Sequence, residues 1–453
     1  MKTKKSIIYL LSFALLLSAI PVNIFAASDI PQIKSETFVL MDADTGQVLF
    51  ERNMHARIYP ASVTKIMTAL LALERGNLSG TVTMSHDAVW SVGRDTSHIA
   101  LDENEQLTLE EALYALAIES ANDAANGIAE LVGGTMENFA KLMTQRAKEL
   151  GAKNTNFANA HGLPDLNHYT SAYDLALIMA AAVKIPEFTK IFTTVTYSMP
   201  PTNRQPETRK FNRKNSLIEG PYAYEGIIGE KNGWTGDAGY TYIASAKQNG
   251  RTLVAAVIKS PDTTARWEDT RALFDYGFIE FVPFGYTADQ FAADKYDIGF
   301  SGGVKSEVKL IPFGDFNCLI SKSADKEEIS ADYIFFTDEK TGTIEAKAVF
   351  SLKSPSDFMY QTLGETRLQI YPVFANPGVK TRTGTEKINP ETEEKSPAIK
   401  ILSSIYGVLS VILQIFGIIA VAFIIWYIIK YKQVQKIKKQ KRGPYADKNI
   451  YKK

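Results

Sequence analysis

Ser62 and Lys65 stand three residues apart in the stretch "YPASVTKIMTALLALERG", and side chains at that spacing on a helix can touch. A hydroxyl beside an amine is suited to nucleophilic catalysis. Burial and the positive end of a helix dipole both push a lysine pKa down, and a neutral amine can take a serine proton. The spacing alone is common: Ser306/Lys309 and Ser323/Lys326 repeat it later in the chain, and a serine at a helix start also reads as an N-cap. A second polar group, Glu119-Ser120-Ala121-Asn122-Asp123, interrupts "TLEEALYALAIESANDAANGIAELV". It reads as a solvated loop between two helices, or as a turn aiming Ser120 and Asn122 at one cleft, a hydroxyl to relay a proton and an amide to hold a carbonyl. A third is Lys231-Asn232-Gly233, where a glycine on a strand marks close approach of another backbone or a ligand. His161 and His168 lack the further ligand spacing of a metal site; no metal or cofactor is expected.

The elements that must position these groups follow from pattern. "TFVLMDADTGQVLFERN" places two alternating runs around Asp44-Thr45-Gly46 and predicts a β-hairpin. Tyr59-Pro60 ends the extended chain. Ile66, Leu70, Leu71 and Leu73 then give a helix an apolar face, closed by Gly76. Thr108 with Glu111, and Ser171 with Asp174, read as capping boxes. "GEKNGWTGDAGYTYIASAKQNGRTLVAAVIKS" predicts two strands joined at Gln248-Asn249-Gly250, with Lys231-Asn232-Gly233 at the beginning of the first. Trp90 and the tyrosines are assigned to the core.

The chain has 453 residues, 45% hydrophobic and 22% charged, too long for one domain and too apolar for disorder. Its 50 basic and 50 acidic residues cancel, but the last 24 residues hold ten Lys or Arg against Asp447 alone. The middle is left with an excess of about twelve acidic residues, which excludes nucleic acid as a partner. One cysteine, Cys318, excludes a disulfide framework and a Cys-based zinc site. Lys2, Lys4 and Lys5, the apolar run Ile7 to Ala19, and then Ala26 and Ala27 follow the order of a secretory signal peptide, residues 1–27. Residues 401–429 carry no charge and suit a transmembrane helix, which needs about 20 apolar residues. The basic tail, 430–453, places that end in the cytoplasm and the rest of the chain outside. Between the ends, strands and helices alternate over 28–284. Short alternating runs fill a small all-β domain over 285–374, and 375–400 is a flexible spacer.

Ser-x-x-Lys, Ser-x-Asn and a Lys-x-Gly triplet, in this order, resemble the signatures of the serine penicillin-recognising enzymes. The segments "VLMDADTGQVLFERN", "PASVTKIMTALL", "ESANDAA", "NAHGLPDLNHYTSAYDLA" and "GDAGYTYIASA" are similar to the D-alanyl-D-alanine carboxypeptidases, the low-molecular-mass penicillin-binding proteins. The resemblance implies an α/β (α+β) transpeptidase-like fold, an antiparallel sheet flanked by helices, then the β-rich domain and a membrane attachment. It implies a bacterial cell-membrane protein that acts on peptidoglycan stem peptides through a serine acyl-enzyme and is inhibited by β-lactams. Ser62 would be the nucleophile, Lys65 the base and Ser120 the proton relay. Asn122, Lys231, Asn232 and Gly233 would line the substrate site, the backbone N–H groups of Ser62 and Trp234 would form the oxyanion hole, and Arg266 in "TARWEDT" would bind the terminal carboxylate. The family has Thr where this chain has Asn232. A literal Lys340-Thr341-Gly342 sits in a polar turn without the strand that follows Gly233. The competing function is a wall-binding scaffold that has lost turnover through Asn232. Hydrolysis of β-lactams is disfavoured, since no Glu-containing loop matches the deacylating carboxylate of class A β-lactamases.

Overall fold

Phe38, Val39, Leu40 and Met41 are all buried in strand β1 (Thr37–Asp42). Consecutive burial on a strand, whose side chains alternate between faces, means that both faces are covered. The computed structural model, which describes residues 30–213, 217–299, 305–338, 341–353 and 360–372, shows how. Strand β1 pairs with β2 (Val48–Arg52) across the expected hairpin and with β9 (Arg251–Ser260) on its other side. The five-stranded antiparallel sheet runs β2-β1-β9-β8-β7, with β8 (Gly239–Gln248) inside and β7 (Ile227–Thr235) at the edge. Val39, Met41, Val254 and Ala256 face one apolar cluster; Phe38, Leu40, Ala255 and Val257 face another.

The first cluster is closed by α1 (Lys65–Arg75), α3 (Leu109–Ile118), α4 (Asn122–Gly133), α5 (Met136–Glu149), α6 (Ala172–Ala182) and α7 (Pro186–Thr193). Ile66, Met67, Leu70 and Leu71 of α1 are at most 1% exposed, and each such burial stabilises by about 1.5–3 kcal/mol. The second is closed by α8 (Thr263–Glu280) through Trp267, Leu273 and Phe274. Two short hairpins, β3 (Thr81–Thr83) with β4 (Gln106–Thr108) and β5 (Thr196–Met199) with β6 (Arg209–Asn212), and the small helix α2 (His86–Trp90) complete this region.

Beyond α8, β10 (Phe281–Tyr286) pairs with β13 (Phe316–Ser321). A five-stranded sheet follows in the order β11 (Ala293–Gly299), β12 (Lys305–Pro312), β16 (Tyr360–Pro372), β15 (Ile344–Lys353) and β14 (Ile329–Thr337). Phe350 centres its core, stacked on Phe316 at 3.8 Å. The β-rich region is tied to the first sheet by Gln47, whose Nε2 donates to Leu319 O and whose Oε1 accepts from Leu319 N, both at 2.7 Å. Phe281 and Leu319 also share the apolar cluster of Leu40 and Leu253.

Several expectations change. Lys231-Asn232-Gly233 lies within a strand of its own, β7, so the segment forms three strands rather than two. Trp90 is 56% exposed, not core. Ser171 caps α6, but the Asp174 carboxylate turns to Asn154 N and Thr155 Oγ1, so no box closes. Among the described residues no helix is long and apolar enough to cross a membrane. The signal segment 1–27, the spacer 375–400, the span 401–429, the tail 430–453 and Lys340 lie outside the described residues.

Candidate active site

Ser62 is not an N-cap. It sits in a 3-10 turn, Ala61–Thr64, that runs straight into α1 at Lys65, and Lys65 Nζ lies 3.0 Å from Ser62 Oγ. Two carbonyl oxygens close on the same nitrogen, Asn122 Oδ1 at 2.7 Å and His161 O at 2.7 Å. Lys65 is fully buried, and burial first, then the charge of Lys231, holds its pKa well below the ordinary lysine value. A neutral amine has two hydrogens and one lone pair. Both carbonyls can only accept, so they take the two hydrogens and leave the lone pair for the Ser62 hydroxyl.

The polar break between helices is real and sharp. The Thr108/Glu111 box starts α3 as expected, and Ser120 then adopts φ +58°, in the left-handed region. A non-glycine residue held there stores about 1–3 kcal/mol. The turn delivers Asn122 to Lys65 and leaves Ser120 Oγ buried without a hydrogen-bond partner among the described residues.

Strand β7 brings the third group. A Cβ on Gly233 would fall 2.7 Å from Ser62 N and 2.6 Å from Thr241 Oγ1, so only glycine lets this edge strand press against the serine turn. That contact sets Trp234, the next residue along β7, beside Ser62, while its indole is 60% exposed. Lys231 is buried and donates from Nζ to Asn232 O at 3.0 Å. Burial, helped by Arg213 and Arg266 and opposed by Glu230, pushes its pKa down to about 7.

A cleft of about 500 Å³ lies beside these groups, lined by Ser120, Arg213, Asn232, Tyr242, Arg266 and Trp267 among others. Arg266, in the first turn of α8, is only 7% exposed; it is not a solvent-facing arginine. Its guanidinium carbon lies 5.0 Å from the Trp267 ring centroid and 5.6 Å from that of Tyr240, and its Nε has no hydrogen-bond partner among the described residues. Arg213 and Glu230, which the sequence reading passed over, form a buried pair at 3.2 Å, with Glu230 also accepting from the Tyr242 hydroxyl and Leu217 N.

His161 and His168 are engaged with the catalytic turn. His161 lends its carbonyl to Lys65, and its Nδ1 accepts from Leu163 N. Burial holds His161 at about 3 and His168 at about 4, so both imidazoles are neutral. Of the other Ser-x-x-Lys copies, Ser323 bonds to Ser321 in an exposed turn of the β-rich region, and Ser306 lies on β12 in the same region. Thr341 is bound to Asp338 in a surface turn.

The sequence profile of the peptidase S11 family, D-alanyl-D-alanine carboxypeptidase, matches residues 24–262, more than half of the chain. The chain belongs to this family. D-alanyl-D-alanine carboxypeptidase DacF of Bacillus subtilis is 37% identical over 255 residues, 55% of this chain and 63% of that protein. DacA of Haemophilus influenzae is 33% identical over 310 residues, 67% of this chain and 76% of that protein. The chain thus spans somewhat under two thirds of some relatives and three quarters of others. Among solved structures, penicillin binding protein 5 from Haemophilus influenzae aligns with a TM-score of 0.58 at 30% identity, over 75% of this chain and 97% of that one. A Streptomyces K15 DD-transpeptidase mutant aligns at 0.52 and 28% identity, over 55% and 99%. Within this fold Lys65 bonds to Ser62 and Asn122, Gly233 packs against Ser62 with Trp234 next to it, Lys231 bonds to Asn232, and Ser120, Asn232 and Arg266 line the cleft. Two positioning contributions were not readable in advance. The His161 contact is a backbone carbonyl, and Arg213 follows a short strand with no motif around it. The only sequence signal for Arg213 was the unusual acid, Glu230, preceding Lys231.

Proposed function

We propose that this chain is a serine-type D-Ala-D-Ala carboxypeptidase that removes the terminal D-alanine of peptidoglycan stem peptides. The observation that carries the reading is the geometry at Lys65: its buried Nζ lies 2.7 Å from two carbonyl oxygens and 3.0 Å from Ser62 Oγ. Ser62 Oγ attacks the carbonyl carbon of the penultimate D-alanine as Lys65 Nζ takes its proton. The backbone N–H groups of Ser62 and of Trp234, the residue after Gly233, receive the oxyanion. Ser120 Oγ passes a proton to the departing amine, free D-alanine leaves, and water then cleaves the Ser62 ester. The Asn122 amide NH2 holds a substrate carbonyl, its oxygen being committed to Lys65. The Arg266 guanidinium, with Arg213, receives the terminal carboxylate. A β-lactam mimics the same carbonyl and carboxylate and stops at the ester.

The scaffold alternative rests on Asn232 alone. The complete Lys65 network favours turnover. Export behind the segment 1–27 and anchoring by 401–429, with the tail 430–453 in the cytoplasm, remain part of this reading and are supported by the charge asymmetry of the two ends. Labelling with a fluorescent penicillin and peptide mapping should find the adduct on Ser62, and Ser62→Ala should lose both label and D-alanine release. An adduct on Ser306 or Ser323 would overturn the assignment. Protease added to intact cells should digest the enzyme region and spare the basic tail; the reverse would refute the orientation.

A further inference from the structure

Ala61, immediately before the nucleophile, has φ +51°, the left-handed conformation that a residue with a Cβ disfavours. The surroundings hold it there. Thr64 Oγ1 donates its only hydrogen to Ala61 O at 2.8 Å. The same oxygen lies 2.8 Å from His168 Nε2. With its hydrogen already used, Thr64 Oγ1 must accept at that contact, so Nε2 carries the proton. His168 Nδ1 accepts from Ala158 N at 3.1 Å, which requires the same tautomer. The ring is 2% exposed and packs edge-on against Phe157 at 5.6 Å.

Ala158 opens the loop that supplies the other half of the site. Two residues on, Ala160 O accepts from Thr68 Oγ1 of α1 at 2.6 Å, and His161 O accepts from Lys65 Nζ. Gly162 then passes so close to the serine turn that a Cβ would lie 1.9 Å from Ala61 O. His168 therefore bonds at one nitrogen to the turn that carries Ser62 and at the other to the loop that orients Lys65.

We propose that His168 is a positioning residue for the acylation step, and that the chain Ala158 N–H to His168 to Thr64 Oγ1 to Ala61 O keeps Ser62 and Lys65 in register. It rests on Ser62 being the acylated residue. His168 touches neither substrate nor the transferred proton; it acts by fixing the two backbones whose relative placement sets the distance from Oγ to Nζ. Misplacement by about 1 Å can cost a hundredfold in rate.

The test uses the full chain and a fluorescent penicillin. Titration of labelled sites counts the folded enzyme, so a folding defect lowers the count and leaves the rate per site alone. His168→Phe and Thr64→Val should each lower the acylation rate per titratable site by about ten- to a hundredfold. The double variant should lose no more than the worse single, because both remove one chain of contacts. Thr64→Ser, which keeps the oxygen, should stay within about threefold of the parent. An unchanged rate per site in Thr64→Val, or losses that multiply in the double, would overturn the proposal. If His168→Phe titrates no sites, the Thr64 pair decides alone. A parent that carries no label on Ser62 overturns the site assignment together with this proposal, whereas a labelled parent with unaffected variants overturns only the latter.

Discussion

On the Ser62 side of the cleft, Lys65 meets two carbonyls and the serine, Thr64 meets Ala61 and His168, and Thr68 meets Ala160. The wall lined by Ser120, Arg213, Arg266 and Trp267 is built differently. Ser120 Oγ, Arg213 Nη2, Arg266 Nε and Trp267 Nε1 are buried there without hydrogen-bond partners among the described residues. Buried polar atoms are normally paired, and each unpaired one costs about 1–3 kcal/mol. One wall is thus paired within the protein, and the other holds unpaired polar atoms beside the cleft. Three of the four unpaired atoms are donors only, which suits an acceptor-rich guest such as a carboxylate. Under the proposed function the difference divides labour: the filled wall fixes the reacting atoms, and the open wall receives the substrate carboxylate.

The largest effect should come from breaking the filled wall. Lys65→Met keeps bulk and removes the amine, and acylation by penicillin should fall by about 10²–10⁴-fold; a loss under tenfold in stopped-flow labelling would mean that the preformed network is not what activates Ser62. Damage to the open wall should be smaller and selective. Arg266→Leu should lower kcat/KM by roughly ten- to a hundredfold on a peptide with a free terminal carboxylate, the worth of a charge-assisted bond. On the same peptide capped as an amide it should change little, and equal losses on both would remove Arg266 from carboxylate recognition.

The pH profile separates the walls without mutation. Lys65 must be neutral to act as base, and its pKa is depressed, so activity should rise with pH through that lowered value. Lys231 must be charged to supply positive potential, and its pKa is about 7, so kcat/KM should decline above about pH 7, by about tenfold per unit once well past it. Lys231→Arg, which stays charged, should lose the alkaline limb; a limb that persists belongs to another group. The smallest effect is expected at Asn232. Its replacement by Thr should quicken D-alanine release by less than about tenfold, since a bond worth about 1.4 kcal/mol is tenfold and Arg213 and Trp267 already add donors to that wall. A slower Asn232→Thr enzyme in steady-state kinetics would show that Asn is fitted to this cleft.

Local chemistry was legible in the sequence where it follows from spacing. Ser62 and Lys65 are neighbours on the chain, the Thr108/Glu111 box is a fixed-offset signal, and the hairpin about Asp44-Thr45-Gly46 is set by its turn. What sequence did not reveal is long-range or made of backbone. The His161 carbonyl has no side-chain signature, and the left-handed φ of Ser120 is imposed by packing of α3 against α4. Lys231-Asn232-Gly233 read as the beginning of a strand because its partner β8 begins only after a three-residue turn, and pairing fixed its place within β7. Arg213 reaches the cleft only once β6 has been laid against β5.

The amide of Gln47 joins the two regions by offering Leu319 a donor and an acceptor at once, as a neighbouring strand would. A single such contact could swivel about its own axis; paired contacts resist torsion, and the shared packing of Phe281 and Leu319 with Leu253 resists shear. The joint therefore behaves as a splice rather than a hinge. Heat or denaturant should melt both regions in one cooperative step, and the enzyme region and the β-rich region should turn together as one body.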